Sequence, residues 1–252
     1  MEILFFGSKG PITKLLQKTL NRIGYNAGEA DGIFGEQTYE AVIQFQQNNQ
    51  IPPTGIVWPQ TWDALAPALL GYSKYTVQAG DTLFKIAEEN DISVRALTAA
   101  NPGVQPDSLE IGTVLTVPSD RSVIDWDIEY CYDIMYLNLR ALKIRYPFIE
   151  IFSAGRSAMN QEIYGARLGR GDINVLYNAS HHANEWITTP VLMKFLEDLA
   201  GNYLEGLGLY GRDARTLFDR VTLSLVPMVN PDGVDLVTGQ LKPESSAYKT
   251  AQ

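Results

Sequence analysis

Apolar residues at Ile12, Leu15, Leu16 and Leu20 step by three and four, and Ile23 extends the stripe, which predicts a helix closed by a turn at Gly24. A second helix is predicted around Ala41, Val42 and Phe45, and a third from Pro59-Gln60-Thr61-Trp62. The pattern then shortens. Tyr75-Thr76-Val77 reads as a strand, Gly80-Asp81-Thr82 as a turn that supplies a capping Asp or Thr, and Leu83, Ile86 and Ala87 as one helical face. Val94 and Leu97 mark a further short helix closed by Asn101-Pro102-Gly103, and Ile111 to Pro118 alternates as a strand does. Beyond Ser119-Asp120-Arg121-Ser122 the period lengthens again. Ile124, Ile128, Cys131, Met135, Leu139 and Leu142 predict one long amphipathic helix that Tyr146-Pro147 ends. Strand-like runs follow at 149–152, 162–164, 174–177 and 221–226, with a helix from about Thr188 to Tyr203 before the last.

These patterns divide the 252 residues into three blocks, expected at 1–71, 74–119 and 123–252. The first is a small three-helix unit and the second is strand-helix-helix-strand. Nearly continuous apolar strands alternating with helices make the third an α/β unit around a buried mixed sheet.

Composition narrows the ligand classes. The formal net charge is −9, and each block is itself acidic, at −2 for 1–72, −4 for 73–120 and −3 for 121–252. Phosphate backbones need surplus Lys and Arg, so a nucleic-acid partner is excluded, and no basic patch suits a membrane surface. No apolar stretch approaches the length of a spanning helix, so no membrane insertion is expected. The single cysteine, Cys131, permits neither an internal disulfide nor a thiolate zinc cage and reads as a buried structural thiol. The start, Met1 to Gly7, has no basic segment and no recognisable signal peptide.

The first block resembles the peptidoglycan-binding domain of bacterial wall hydrolases. Leu16-Gln17, Gly24-Tyr25, Asp31-Gly32-Ile33-Phe34-Gly35, Thr38, Ala41-Val42, Phe45-Gln46, Gly55 and Thr61-Trp62 carry that resemblance. The second resembles a LysM domain through Tyr75-Thr76-Val77, Gly80-Asp81-Thr82-Leu83, Ile86-Ala87, Leu97, Asn101-Pro102 and Leu115-Thr116-Val117-Pro118. That likeness implies binding of N-acetylglucosamine-containing glycans near Gly80, Asp81, Thr82 and the stretch from Asn101 to Val104. The Asp81 side chain is expected to cap its helix, with ligand contacts coming mostly from the loop backbone.

In the third block the chemistry gathers at Asn178-Ala179-Ser180-His181-His182-Ala183-Asn184-Glu185-Trp186, directly after a strand, where α/β folds place their sites. His182 and Glu185, three apart, can aim an imidazole nitrogen and a carboxylate oxygen at one ion, a donor pair that suits zinc. Alone, such a pair is more often a surface hydrogen bond than a ligand set. The string His182 to Thr188, with Ala154-Gly155-Arg156-Ser157, Glu162-Ile163-Tyr164 and Val229-Asn230-Pro231-Asp232-Gly233 in the same order, resembles the M14 zinc metallocarboxypeptidases. The branch most similar overall is the γ-D-glutamyl-diamino-acid peptidases of wall stem peptides. Asn184 stands where the digestive members carry Arg, and a neutral amide cannot grip a carboxylate bidentately. His181 is expected to pack or hydrogen-bond beside the site.

The resemblance also implies a second histidine as third ligand, arginines for substrate and oxyanion, and a general-base glutamate, all farther on than Gln252. His181 and His182 are the only histidines. The chain therefore reads as the front part of that domain, with Glu244 to Lys249 an interrupted connection, and little peptidase activity is expected of it alone. Two functions stand: a peptidoglycan-targeted Zn²⁺ peptidase of stem peptides in truncated form, or a non-catalytic wall-binding protein with a decayed peptidase remnant. Partners are glycan strands and stem peptides, at a cell wall or spore.

Overall fold

The computed structural model describes residues 1–105 and 109–241, and the tail read above as an interrupted connection lies outside them. Three helices make the first block: α1 (Pro11–Arg22), α2 (Glu36–Asn48) and α3 (Pro59–Leu69). Pro occupies the first turn of α1 and α3, where a missing N–H costs nothing. Ile12, Leu16, Leu20, Phe34, Val42, Phe45 and Leu65 bury their side chains between the helices. Two buried glutamines fix the connections. Gln17 Nε2 donates to Asp31 Oδ1 and to the Ile33 carbonyl, both at 3.0 Å, while its Oε1 accepts from Gly32 N at 2.8 Å. Gln46 repeats the device on the next turn, donating to the Ile56 carbonyl and accepting from Gly55 N. Each amide satisfies backbone groups that a tight turn would otherwise bury unpaired.

The second block pairs β1 (Tyr72–Thr76) with β2 (Val114–Pro118), antiparallel, from Tyr72 opposite Pro118 to Thr76 opposite Val114. Helices α4 (Leu83–Glu89) and α5 (Val94–Ala100) cover them. Val77, Leu83, Ile86, Leu97, Leu115 and Val117 form a core of their own. The first strand begins three residues earlier than the alternation suggests. The last begins three later, because Gly112 sits in a turn at φ 87 and Ile111 is exposed.

The third block holds the largest correction. The predicted helix from Ile124 begins only at Tyr132, so α6 runs Tyr132–Arg145. Ile124, Ile128 and Cys131 are buried as their spacing requires, yet the chain there is irregular. Asp125 Oδ1 accepts from Asp127 N at 3.0 Å, a local bond that competes with helix. The two carboxylates are also drawn to Lys18 and Lys14 of α1. Strands β3 (Glu150–Arg156), β4 (Glu162–Leu168) and β5 (Ile173–Asn178) follow, then α7 (Thr188–Glu205), the hairpin β6 (Gly208–Leu209) and β7 (Arg212–Asp213), α8 (Ala214–Arg220), β8 (Val221–Val226) and α9 (Pro231–Val237). Helix α7 stops at Gly206 in the left-handed region at φ 70, with Leu207 N bonding back to the Asn202 carbonyl.

The sheet is mixed, in the order β3-β4-β8-β5, antiparallel except for the β5–β8 pair. It is not buried throughout. Strand β5 lies at an edge and leaves Ile173 51%, Leu176 61% and Tyr177 49% exposed. The first block's core is continuous with that of the third, through Ile124, Ile128, Tyr130 and Met135, whereas the second keeps a separate one. Cys131 is a buried free thiol, as its apolar setting implies. Among the described residues no helix is long and apolar enough to cross a membrane.

Candidate metal site and glycan-binding loops

The candidate site sits where β5 ends. Parallel pairing carries β5 and β8 together up to Asn178 opposite Val226, and Ala179 N then donates to the Val226 carbonyl. Ser180 turns the chain at φ 50, a left-handed conformation that costs a non-glycine residue roughly 1 kcal/mol. Its surroundings hold it there. Ser180 N donates to Thr188 Oγ1 at 2.9 Å, Ser180 Oγ shares a hydrogen bond with Thr189 Oγ1 at 2.8 Å, and the Ser180 carbonyl accepts from Asn230 N at 3.0 Å. Thr189 Oγ1 in turn donates to the Pro227 carbonyl at 2.6 Å. These hydroxyls anchor the turn to the start of α7 and the end of β8.

On that base a single 3₁₀ turn, Ala183–Glu185, projects into solvent. It brings His182 Nδ1 within 3.1 Å of Glu185 Oε2, with the two side chains 77% and 54% exposed. Imidazole and carboxylate therefore meet at one point. His181 points elsewhere, its Nε2 2.8 Å from Asn178 Oδ1. Asn184 is exposed on the same turn. Trp186 is partly buried against the core and roots the turn.

The run Val229 to Gly233 caps the other side. Asn230 Oδ1 accepts from Gly233 N at 3.0 Å to start α9, and its Nδ2 donates to the His181 carbonyl at 3.2 Å. Two buried acids on α9 reach back to neighbouring elements. Asp232 accepts from Ser157 Oγ and Met159 N, and Asp235 from Tyr132 N and Gln161 Nε2. Burial pushes Asp235 up to about 6, aided by Asp133 and Asp232 nearby. Ser180, Thr188, Thr189 and Asp235 were not singled out from sequence. Serine and threonine here look like ordinary helix-start residues, and only the fold shows that they tie three elements together.

The donors at the turn fit zinc in type, but their number is two. Among the described residues no group of three or more His, Cys, Asp or Glu is placed to hold a metal ion. Protein zinc sites use at least three protein ligands, so the pair does not complete one, and no catalytic step is derived through the ion.

The structure reassigns two residues of the second block. Thr82, not Asp81, caps α4, accepting from Lys85 N at 3.1 Å. Asp81 instead accepts from Tyr75 Oη and Gln78 N, both at 2.8 Å, and these bonds lower its pKa. Asn101 is buried and wholly engaged. Its Nδ2 donates to the Leu97 and Thr116 carbonyls and its Oδ1 accepts from Thr116 N, all at 2.7 Å. That amide staples β2 to α5. Gly80 and Thr82 remain exposed at the loop.

Comparison with known proteins gives each block a match. Residues 9–65 match the family model for a peptidoglycan binding domain, 75–118 that for a LysM domain, and 135–248 that for a zinc carboxypeptidase. Gamma-D-glutamyl-L-diamino acid endopeptidase 1 of Lysinibacillus sphaericus is 43% identical over 108 residues, 43% of this chain and 27% of its own length. The uncharacterized protein YqgT of Bacillus subtilis is 42% identical over 94 residues, 36% of this chain and 25% of its own. This chain thus spans about a quarter of the length of these curated relatives. A solved peptidoglycan-binding protein from Clostridioides difficile is 38% identical, covering 25% of this chain and 40% of that one, at a TM-score of 0.25.

Proposed function

Because the third block belongs to the zinc carboxypeptidase family and stands behind a peptidoglycan-binding domain and a LysM domain, we propose a peptidoglycan-targeted zinc metallopeptidase acting on wall stem peptides. The boundaries read from sequence, 1–71, 74–119 and 123–252, serve as its working division. One observation carries the proposal: His182 Nδ1 and Glu185 Oε2 meet 3.1 Å apart at the end of β5, inside the matched zinc carboxypeptidase segment. These two residues would be zinc ligands. Bound there, the ion would supply a Lewis acid and an activated water. The chain's own part is to present both donors from a turn locked by Ser180, Thr188, Thr189 and Asn230. The two binding domains hold the chain to peptidoglycan, with Gly80 and Thr82 exposed in the loop assigned to glycan and Asn184 beside the metal pair.

One observation favours the second reading, a non-catalytic wall-binding protein. Two ligands leave zinc mostly hydrated and weakly held, and among the described residues no third His, Cys, Asp or Glu joins the pair to hold a metal ion. Both readings predict binding to insoluble peptidoglycan and little stem-peptide cleavage by this chain. They separate on metal. Zinc titration of the purified chain should detect a site that the double substitution His182→Ala, Glu185→Ala removes. Equal zinc uptake by both proteins would sink the peptidase reading and leave the binding one.

A further inference from the structure

The three blocks meet around a cleft of about 380 Å³ that lies away from the metal pair. It is lined by Arg22 from the end of α1, Arg121 from the linker before the third block, and Arg145 from the end of α6. One acid, Asp120, faces the same space. Arg145 is buried, with its side chain 10% exposed; its Nη1 pairs with Glu197 Oε1 at 3.2 Å, and Tyr146 is a further side-chain hydrogen-bond partner. Arg145 Nε is buried and has no hydrogen-bond partner. Arg22 is held by the Ala68 carbonyl. Burial, and then repulsion from Arg121, lower the pKa of Arg22, with Asp125 opposing both. Among the described residues the Arg121 guanidinium has no hydrogen-bond or ion-pair partner.

Glu197 balances Arg145, which leaves Arg22 and Arg121 facing one lining carboxylate, Asp120, with Arg145 Nε an unsatisfied buried donor beside them. An unmade buried donor costs on the order of 1–3 kcal/mol, and like charges add to that. A planar oxyanion between Arg22 and Arg121 answers the like-charge repulsion, because the guanidinium fork matches a carboxylate bidentately. We propose that this junction is an anion site for a carboxylate of a peptide, in the chemistry of γ-D-glutamyl-diamino-acid stems. The choice of a peptide as source rests on the proposed function, while the need for an oxyanion does not. A ligand there touches all three blocks at once, so its binding would set how the wall-binding domains are held against the peptidase block.

Calorimetric titration of the full chain in zinc-free buffer tests this with three probes: γ-D-glutamyl-L-lysine, the same dipeptide with its carboxylates amidated, and inorganic phosphate. The free dipeptide should bind and the amidated one should not. Arg121→Gln should weaken the dipeptide about tenfold, the worth of one charge-assisted hydrogen bond. Arg121→Lys should lose less. Since Arg121 is exposed, thermal unfolding should show the variant folded. Equal binding of the amidated dipeptide, or no effect of either Arg121→Gln or Arg22→Gln, overturns the site. Binding of phosphate but not dipeptide overturns the peptide assignment. Neither zinc nor cleavage enters the readout, so a failure here leaves the metal reading standing, and loss of the metal reading leaves this site standing.

Discussion

Arg145 Nη1 and Glu197 Oε1 meet at 3.2 Å with their side chains only 10% and 5% exposed, so α6 and α7 are joined by a desolvated ion pair. Glu197 also accepts from Val123 N at 2.7 Å and Ser122 Oγ at 2.6 Å, which pins the linker entering the third block. Removing one member of such a pair strands the other without compensation. Glu197→Ala should therefore lower unfolding free energy by about 3–5 kcal/mol. Glu197→Gln, which keeps one acceptor oxygen for the linker, should lose less. Urea unfolding measures both, and a Glu197→Ala midpoint within about 1 kcal/mol of the parent would show that the linker needs no such anchor.

Asp235 gives a pH signature of unusual sign. Its carboxyl is raised from 3.8 to about 6 by burial. The folded state therefore holds a proton that the unfolded state has released, and stability from this group is complete below pH 4. It declines as pH climbs to about 6 and stays lost above. The span is worth about 2–3 kcal/mol at 1.36 kcal/mol per unit. Gln161 Oε1 is buried without a partner, so an Asp235→Asn amide can accept from Tyr132 N and, with the Gln161 amide turned over, donate to it. Asp235→Asn should be more stable than the parent at pH 7 and should lose the advantage near pH 4. A difference that does not vary between these pH values would refute the assignment.

How far the sequence reached depended on whether the governing interaction was local. Spacing located the helices of the first block and strand 221–226 because burial periodicity survives any arrangement of neighbours. It overran at 124–131, where the apolar positions are buried as expected but Asp125 and Asp127 answer to Lys18 and Lys14, more than 100 residues away. It gave no warning that β5, as apolar as an inner strand, stands at an edge. At the candidate site the His182–Glu185 pair was legible because both donors lie on one turn. The positioning by Thr189, Pro227 and Asn230 was not, since it depends on β8 lying beside β5.

Asn101 separates folding from recognition in the second block. Its three hydrogen bonds at 2.7 Å close the βααβ unit internally. Asn101→Ala should lower the stability of this block by roughly 2–3 kcal/mol, leaving buried backbone groups unpaired. Below its new melting temperature, glycan affinity should be unchanged. Thr82→Ala removes an exposed cap worth about 1 kcal/mol at a loop assigned to ligand. Oligosaccharide titration at low temperature checks the contrast, and weakened binding by folded Asn101→Ala would restore it as a contact residue.

Thr189 decides whether the metal pair is held or merely adjacent. Its hydroxyl is fully buried, donates to the Pro227 carbonyl at 2.6 Å and meets Ser180 Oγ at 2.8 Å. Thr189→Val keeps the volume but leaves the Pro227 carbonyl without this donor and takes one partner from Ser180 Oγ, which still meets Thr188 Oγ1, a loss of about 1–3 kcal/mol. Ser180 would keep its bonds to Thr188 and Asn230 but lose its tie through Thr189 to the end of β8, so the turn carrying His182 and Glu185 should loosen in part. Zinc affinity should therefore fall in Thr189→Val although neither ligand is touched, and Thr189→Ser, which restores the hydroxyl, should recover most of it. Stability loss with unchanged zinc affinity would mean that the 3₁₀ turn sets its own geometry, independent of the strand ends beneath it.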